Sequence, residues 1–191
     1  MAKFKIVNNE LKINKTITKL DLFAFDVIDL IQKHAKYVII FGYVSIFFGR
    51  SRATEDIDMF IDKIDYKKFL KMYNEFVSKG FEFTIANPES LYHEYLEQDV
   101  PINVWRKGFP LLRMEIKFAL KPSQKQVLNN PVKVFVGDKL VQFGSIESQI
   151  AYKRYISKSE KDLEDARHLE IVFEGLDAEK IKYFRKLFEN E

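Results

Sequence analysis

The chain has 191 residues, 47% of them hydrophobic, enough for one compact domain with a sizeable core. Its 31 Lys and Arg against 28 Asp and Glu leave a net charge of +3, which permits nucleic-acid binding without requiring it. Cysteine is absent, which excludes disulfides, thiol catalysis and zinc-thiolate sites and fits a reducing cytosol. The first residues, Met1-Ala2-Lys3-Phe4-Lys5, form no apolar signal region, and the longest apolar stretch, around residues 37–49, is too short to cross a bilayer. A cytoplasmic protein with no membrane role is expected.

Residues 3–14 alternate polar and apolar positions around Asn8-Asn9, the pattern of a hairpin or an edge segment. A helix is predicted from about Lys19 to Ala35, with Leu22, Phe25, Ile28, Leu30 and Ile31 on its buried side. Tyr37-Val38-Ile39-Ile40-Phe41 is a β-branched and aromatic strand that ends at Gly42, and Tyr43 to Phe48 can form a short helix. A second strand covers Ile57 to Ile61, followed by a helix from roughly Asp65 to Lys79 closed by Gly80, and a strand from Phe81 to Ile85. Residues 86–100 open with Asn87-Pro88-Glu89 and read as a short acidic helix. Ile102 to Trp105 and Leu111 to Phe118 read as strands paired across Lys107-Gly108. The end of the chain reads as mostly helical, interrupted before Asp177, and its last helix carries Ile181, Phe184, Leu187 and Phe188 on a stripe suited to the domain's own core. His34, His93 and His168 share no ligand spacing, and Tyr92, Tyr95 and Trp105 read as packing residues.

Asp56 and Asp58 interrupt what is otherwise a buried strand. Aspartate is disfavoured in strands, and alternation puts both carboxylates on one face while Ile57 and Met59 point into the core. Converging carboxylates repel unless a cation lies between them, and hard oxygen ligands suit Mg²⁺ or Mn²⁺. The same acids also admit a structural reading, a turn cap and a surface ion pair. Upstream, the strand, the turn at Gly42 and the helix start offer backbone amides and partial positive charge to a phosphate. Arg50, Arg52 and Thr54 then supply two guanidinium groups and a hydroxyl just ahead of the acidic pair.

These residues resemble the nucleotidyltransferase superfamily of the DNA polymerase β-type fold, marked by Gly followed by Gly or Ser, then roughly ten residues, then Asp-x-Asp or Asp-x-Glu. Gly42 stands in the second position of that motif and Phe41 in the place of its first glycine. Gly42-Tyr43, Gly49-Arg50 and Arg52-Ala53-Thr54-Glu55-Asp56-Ile57-Asp58 together look like small prokaryotic AbiEii- and MenT-like proteins. The resemblance implies an α/β (α+β) architecture: a mixed, partly antiparallel nucleotidyltransferase sheet flanked by helices in residues 1–141, with a C-terminal helical region in 142–191 packed on it. It implies a third carboxylate on a neighbouring strand, for which Glu115 is the candidate, facing outward with Arg113 and Lys117. It also implies that Gly42, Tyr43, Ser45, Arg52 and Thr54 meet the nucleotide, that Lys153 contacts phosphates, and that Asp162 places nucleotide or acceptor while Asp165 orients its neighbours.

The expected activity is metal-dependent transfer of a nucleoside monophosphate from a nucleoside triphosphate, with Asp56, Asp58 and Glu115 as catalytic and metal-holding residues. Acceptors implied by the resemblance are tRNA, a protein or a small molecule, and a toxin role would bring an antitoxin partner. The alternative is a nucleotide-binding or interaction module that keeps the fold and lacks turnover.

Overall fold

A computed structural model describes residues 3–54 and 56–191; Met1 and Ala2 of the N-terminal segment and Glu55 lie outside them. The chain opens with β1 (Phe4–Lys5) and β2 (Glu10–Ile13), linked by a two-residue turn in which Asn8 and Asn9 both take positive φ, 52° and 59°. Asparagine tolerates that conformation, and Val7 and Glu10 exchange both backbone hydrogen bonds across the turn. The two strands nevertheless leave for different sheets. β1 pairs in parallel with β10 (Phe173–Glu174), and β2 pairs in parallel with β8 (Val132–Val136), so both alternatives read from the sequence are partly met.

α1 (Lys19–Ile31) starts at a capping box in which Thr18 accepts from the Asp21 amide and Asp21 accepts from the Thr18 amide. Its buried stripe runs through Asp21, Ala24, Phe25, Ile28 and Ile31, at helical spacing. Leu22, expected on that stripe, is 55% exposed, because it lies one position round from Asp21, whose carboxylate is held inside by Lys15, Thr18 and Tyr43.

The large sheet has the order β2-β8-β9-β3-β4-β7-β6-β5. Its centre comprises β3 (Tyr37–Ile40), antiparallel to β4 (Asp56–Ile61), which runs parallel to β7 (Phe109–Phe118). β6 (Ile102–Arg106) and β5 (Phe81–Phe83) continue antiparallel to one edge, with Gly108 at φ 78° in the tight β6–β7 turn. On the other side β9 (Lys139–Phe143) joins β3 to β8. Residues 119–141, unassigned from the sequence, thus supply α5 (Pro122–Asn129) and the β8–β9 hairpin. Val132, Val134 and Val136, alternating ahead of Gly137-Asp138, carry the period of two that such a hairpin requires.

Helices cover both faces of the sheet. Ile57, Met59 and Ile61 point into the main core with α1 and α3 (Tyr66–Ser78), which is capped by Asp65 and closed by Gly80 at φ 79°. On the opposite face Val38, Ile40 and Phe60 meet Val127 of α5, Ala151 of α6 (Ile146–Ala151) and Phe184 of α8 (Ala178–Glu189). Asp56 and Asp58 share this second face with Phe60, as strand alternation demands. Between β5 and β6 the expected acidic helix is a single turn, α4 (Pro88–Ser90), continued by wider and tighter turns to Gln98. After α6 the chain makes a wide turn over Tyr152–Ser157 and enters α7 (Glu160–Val172). Among the described residues no helix is long and apolar enough to cross a membrane.

Phe184 is 2% exposed and anchors α8 on the carboxylate-bearing side of the sheet. Phe184→Ala should lower stability by about 3 kcal/mol in urea unfolding, the usual loss for a truncated buried aromatic ring. A loss below about 1 kcal/mol would mean that α8 is not docked as described.

Candidate functional site

The parallel register of β4 and β7 sets Asp58 opposite Glu115 and Asp56 opposite Arg113. Neighbouring strands lie about 5 Å apart, so the Asp58 and Glu115 carboxyls share one patch of the sheet. Burial pushes Asp58 from its usual 3.8 up to about 7, reinforced by repulsion from Glu115 and Asp56 and only partly offset by Lys153 and Arg52. Glu115 is raised as well, first by burial and then by Asp56. Asp56 turns toward Arg113, which faces one carboxylate oxygen with Nε and donates to the other from Nη2 at 3.2 Å. Consequently, among the described residues no three acidic or histidine side chains converge tightly enough to cage an ion. The donor set still fits a divalent cation: oxygen ligands only, half-buried, and mutually repelling in the absence of a positive charge.

Phe41 closes β3 with φ 60° and ψ −127°, a region that side chains other than glycine enter at a cost of about 1–3 kcal/mol. It stands where the superfamily motif has its first glycine, and it takes up a glycine-like backbone. α2 (Gly42–Phe47) follows directly. A Cβ on Gly42 would overlap the guanidinium of Arg52, which lies across the turn. Ser45 Oγ and Arg52 Nε are buried with no hydrogen-bond partner among the described residues, an arrangement that calls for a ligand or a change of rotamer. Thr54 donates to the Asp56 carbonyl at 3.0 Å and so steadies the entry to β4.

The other predicted contacts fall elsewhere. Tyr43 does not join the site: it is fully buried and its hydroxyl donates to Asp21 at 2.6 Å, because α2 presents that side to the core. Lys153 is also fully buried, its ammonium donating to Asp162 and Asp165 at 2.7 Å each. It faces Asp58 as a nearby charge and is enclosed away from solvent. Asp162 is held at about 2: burial alone would raise it, but bonds from Lys153, Ser157 and Ser159 outweigh that. Asp165, fully buried, receives Arg50, Arg52 and Lys153 together.

Three residues at the site lie outside the predicted set. Arg113, paired with Asp56, was legible as a cation of the same parity two positions before Glu115. Gln149 accepts the Phe41 amide at 2.7 Å, and Tyr152 packs its ring against Phe41 at 4.6 Å between centroids. Both face a cavity of about 340 Å³ that reaches from Asp58 and Glu115 to α5 and α8. The histidines make local contacts: His34 with Glu75, His93 with Glu97, and His168 with the Phe48 carbonyl.

The fold is that of nucleotidyltransferases. Among solved structures it is similar to ANT(2")-Ia in complex with adenylyl-2"-tobramycin, with a TM-score of 0.54 and 15% identity over 91% of this chain and 98% of that one. It is similar also to an antigenic nucleotidyltransferase-like protein from Paracoccidioides brasiliensis, with a TM-score of 0.53 and 15% identity, covering 90% and 85% of the two chains. A third is the lincosamide antibiotic adenylyltransferase LnuA with lincomycin bound, with a TM-score of 0.50 and 14% identity, covering 83% and 99%. No protein-family model and no curated protein matches the sequence.

Two predictions follow from the electrostatics. Because Asp58 is raised to about 7, its contribution to stability is complete below the unfolded value of 3.8 and is lost as pH climbs through 7. In chelator-treated buffer at pH 8, Asp58→Asn should therefore gain on the order of 2 kcal/mol, a thermal midpoint several degrees higher, with the gap closing toward about pH 4. Equal midpoints at pH 8 would contradict this account. Asp165→Ala strands one enclosed and two partly enclosed cations and should cost about 3–5 kcal/mol in urea unfolding, with Asp165→Asn a measurable intermediate. A cost under about 1 kcal/mol would show that the cluster is not the buried junction described.

Proposed function

We propose that this protein transfers a nucleoside monophosphate from a nucleoside triphosphate to an acceptor hydroxyl, with release of pyrophosphate. The observation that carries the reading is the in-register opposition of Asp58 and Glu115, with Asp56 on the same strand face, near Ser45 of α2 and Arg52 of the following loop, whose Oγ and Nε are buried without a hydrogen-bond partner among the described residues. The nucleotidyltransferase fold supports it as a scaffold.

Asp56, Asp58 and Glu115 are the residues that would hold Mg²⁺ or Mn²⁺. Bound there, the cation supplies neutralising charge for the phosphates and lowers the pKa of a coordinated oxygen. Asp56 must leave Arg113 to take part, and Arg113 is then available to an anion. Gly42 lets the phosphate tail approach the backbone, and Ser45 offers its unpartnered hydroxyl. Arg52 has only to swing off Gly42 to place its guanidinium on the same phosphates, since its Nη1 contact to Asp165 is a long 3.2 Å. Lys153, held by Asp162 and Asp165, adds a fixed positive charge near Asp58 without leaving its seat.

Within the superfamily, membership among AbiEii- and MenT-like proteins rests on the motif from Gly42 to Asp58, and so do tRNA, protein or small-molecule acceptors and an antitoxin partner. Two of the three similar solved structures carry antibiotics in their names, tobramycin and lincomycin, which puts compounds of those kinds among the small-molecule acceptors worth assaying.

Calorimetric titration with each ribonucleoside triphosphate, with and without Mg²⁺, tests the reading. Metal-dependent binding is expected in the parent and is absent from the Asp56→Asn/Asp58→Asn double variant. Glu115→Gln should keep binding and lose turnover by about a thousandfold or more once an acceptor is found with labelled nucleotide. Gly42→Ala should fold, because only the mobile end of Arg52 is in the way, yet bind triphosphate at least about tenfold more weakly. A parent protein that binds no triphosphate under any of these conditions defeats the proposal. Binding without pyrophosphate release across all acceptors favours the inactive module.

A further inference from the structure

We propose that Gln149 is a positioning residue for the nucleotide site: its side-chain carbonyl holds Phe41 in a backbone conformation that side chains resist, and thereby sets the turn at Gly42. The inference rests on the nucleotide-binding reading above and adds to it a residue outside the motif.

Phe41 combines φ 60° with ψ −127° and begins α2 without any side-chain cap of its own. In this conformation its N–H is partly withdrawn from solvent and turned toward α6, where Gln149 Oε1 accepts it at 2.7 Å. Because that donor is a backbone N–H, the oxygen of the Gln149 amide must face it, so the orientation of the side chain is chemically fixed. Gln149 is itself only 3% exposed. Gly144 makes room for it: a Cβ there would come within 2.5 Å of Gln149 Nε2, while the Gly144 amide donates to the Ile39 carbonyl of β3 at 2.9 Å. The clamp and the strand it acts on are therefore tied to each other twice.

Tyr152, three residues further along and on the same side of the helix, packs on the Phe41 ring at 4.6 Å. One residue thus holds the backbone of Phe41 and the other holds its ring. An N–H drawn even partly out of water is best held by an acceptor, and a strained φ persists only where the surroundings over-determine it. Both conditions are met at Phe41 by one short stretch of α6 and the turn after it. Relaxation of Phe41 would rotate the peptide leading into Gly42, the residue against whose Cα the Arg52 guanidinium lies.

A double-mutant cycle on triphosphate binding, read by calorimetry with Mg²⁺ at a temperature where circular dichroism shows every variant folded, tests the clamp. Gln149→Leu should weaken binding about tenfold in the parent, which is about 1.4 kcal/mol. In a Phe41→Gly background the same substitution should cost less than about threefold, because glycine adopts positive φ without help. In a Phe41→Ala background, where the ring is gone but the L-configured residue remains, the cost should stay near tenfold. A purely structural role for Gln149 would lower the thermal midpoint of all three pairs and leave these binding ratios alike, which overturns the inference. So does relief in the alanine background equal to that in glycine, since the ring and not the backbone would then be responsible. Should Gln149→Leu not fold, Gln149→Asn, which withdraws the acceptor by one methylene and keeps an amide, is read on the same cycle. A parent that binds no triphosphate removes the functional reading and this inference together; a parent that binds, with Gln149→Leu binding equally well, removes this inference alone.

Discussion

Asp165 is the point on which the arrangement of the site depends. It is fully buried, and Arg50, Arg52 and Lys153 all reach it, from the loop before β4 and from the wide turn after α6. Charges taken out of water are tolerated only when paired, so this cluster compels α7, the Tyr152–Ser157 turn and the Arg50–Arg52 loop to meet at one place. That meeting point lies beside β4. It brings Arg52 over Gly42 and puts the Lys153 charge within reach of Asp58. Such clusters contribute little net stability compared with an apolar core of equal volume, and their value is in fixing which groups are neighbours. Here they fix where the Arg50–Arg52 loop lies relative to β4.

The central strands were legible because the sequence obeys strand physics except at two positions. Ile57, Met59 and Ile61 alternate into the core, and aspartates between them can only face out, which correctly predicts the face they occupy. Parity also placed Glu115 and Arg113 together on β7. The β8–β9 hairpin carries an equally clean alternation in Val132, Val134 and Val136, but over a single five-residue strand, a weaker signal than the acid-bearing β4. Tyr43 and Lys153 show where the motif stops being informative. A motif fixes spacing along the chain, but the choice between ligand and core is made by tertiary partners, here Asp21 for Tyr43 and Asp165 for Lys153. Those partners lie 22 and 12 residues away, beyond any local periodicity. The same holds for Leu22, whose exposure follows from the burial of the Asp21 carboxylate next to it.

The second face of the sheet does two jobs that conflict. Toward its centre it is apolar, with Val38, Ile40 and Phe60 packed under α5, α6 and α8. At the end where β3 stops it carries Asp56, Asp58 and Glu115, of which Asp58 and Glu115 line the neighbouring cavity. Phe60 and Asp58 sit two residues apart on one strand, so the boundary between core and site is a single side-chain step. α6 and α8 complete a core that β3 and β4 begin, since Ala151 and Phe184 pack with Val38, Ile40 and Phe60.

Three departures from local preference occur within this one region. A carboxyl is raised to about 7, a phenylalanine holds a positive φ, and a lysine is sealed from water. Each alone has a structural excuse. Together they run against the consistency between local preference and global fold that the rest of the chain displays, in the capping box of α1 or the glycine that closes α3. Strain and perturbed ionisation concentrated at the rim of a cavity, on the face that carries the acids, are consistent with the proposed nucleotide site. Stability would be served by asparagine at 58 and glycine at 41. The chain has neither, and the hydrogen bond from Phe41 to Gln149 gives the less favoured backbone at position 41 an acceptor that holds it in place.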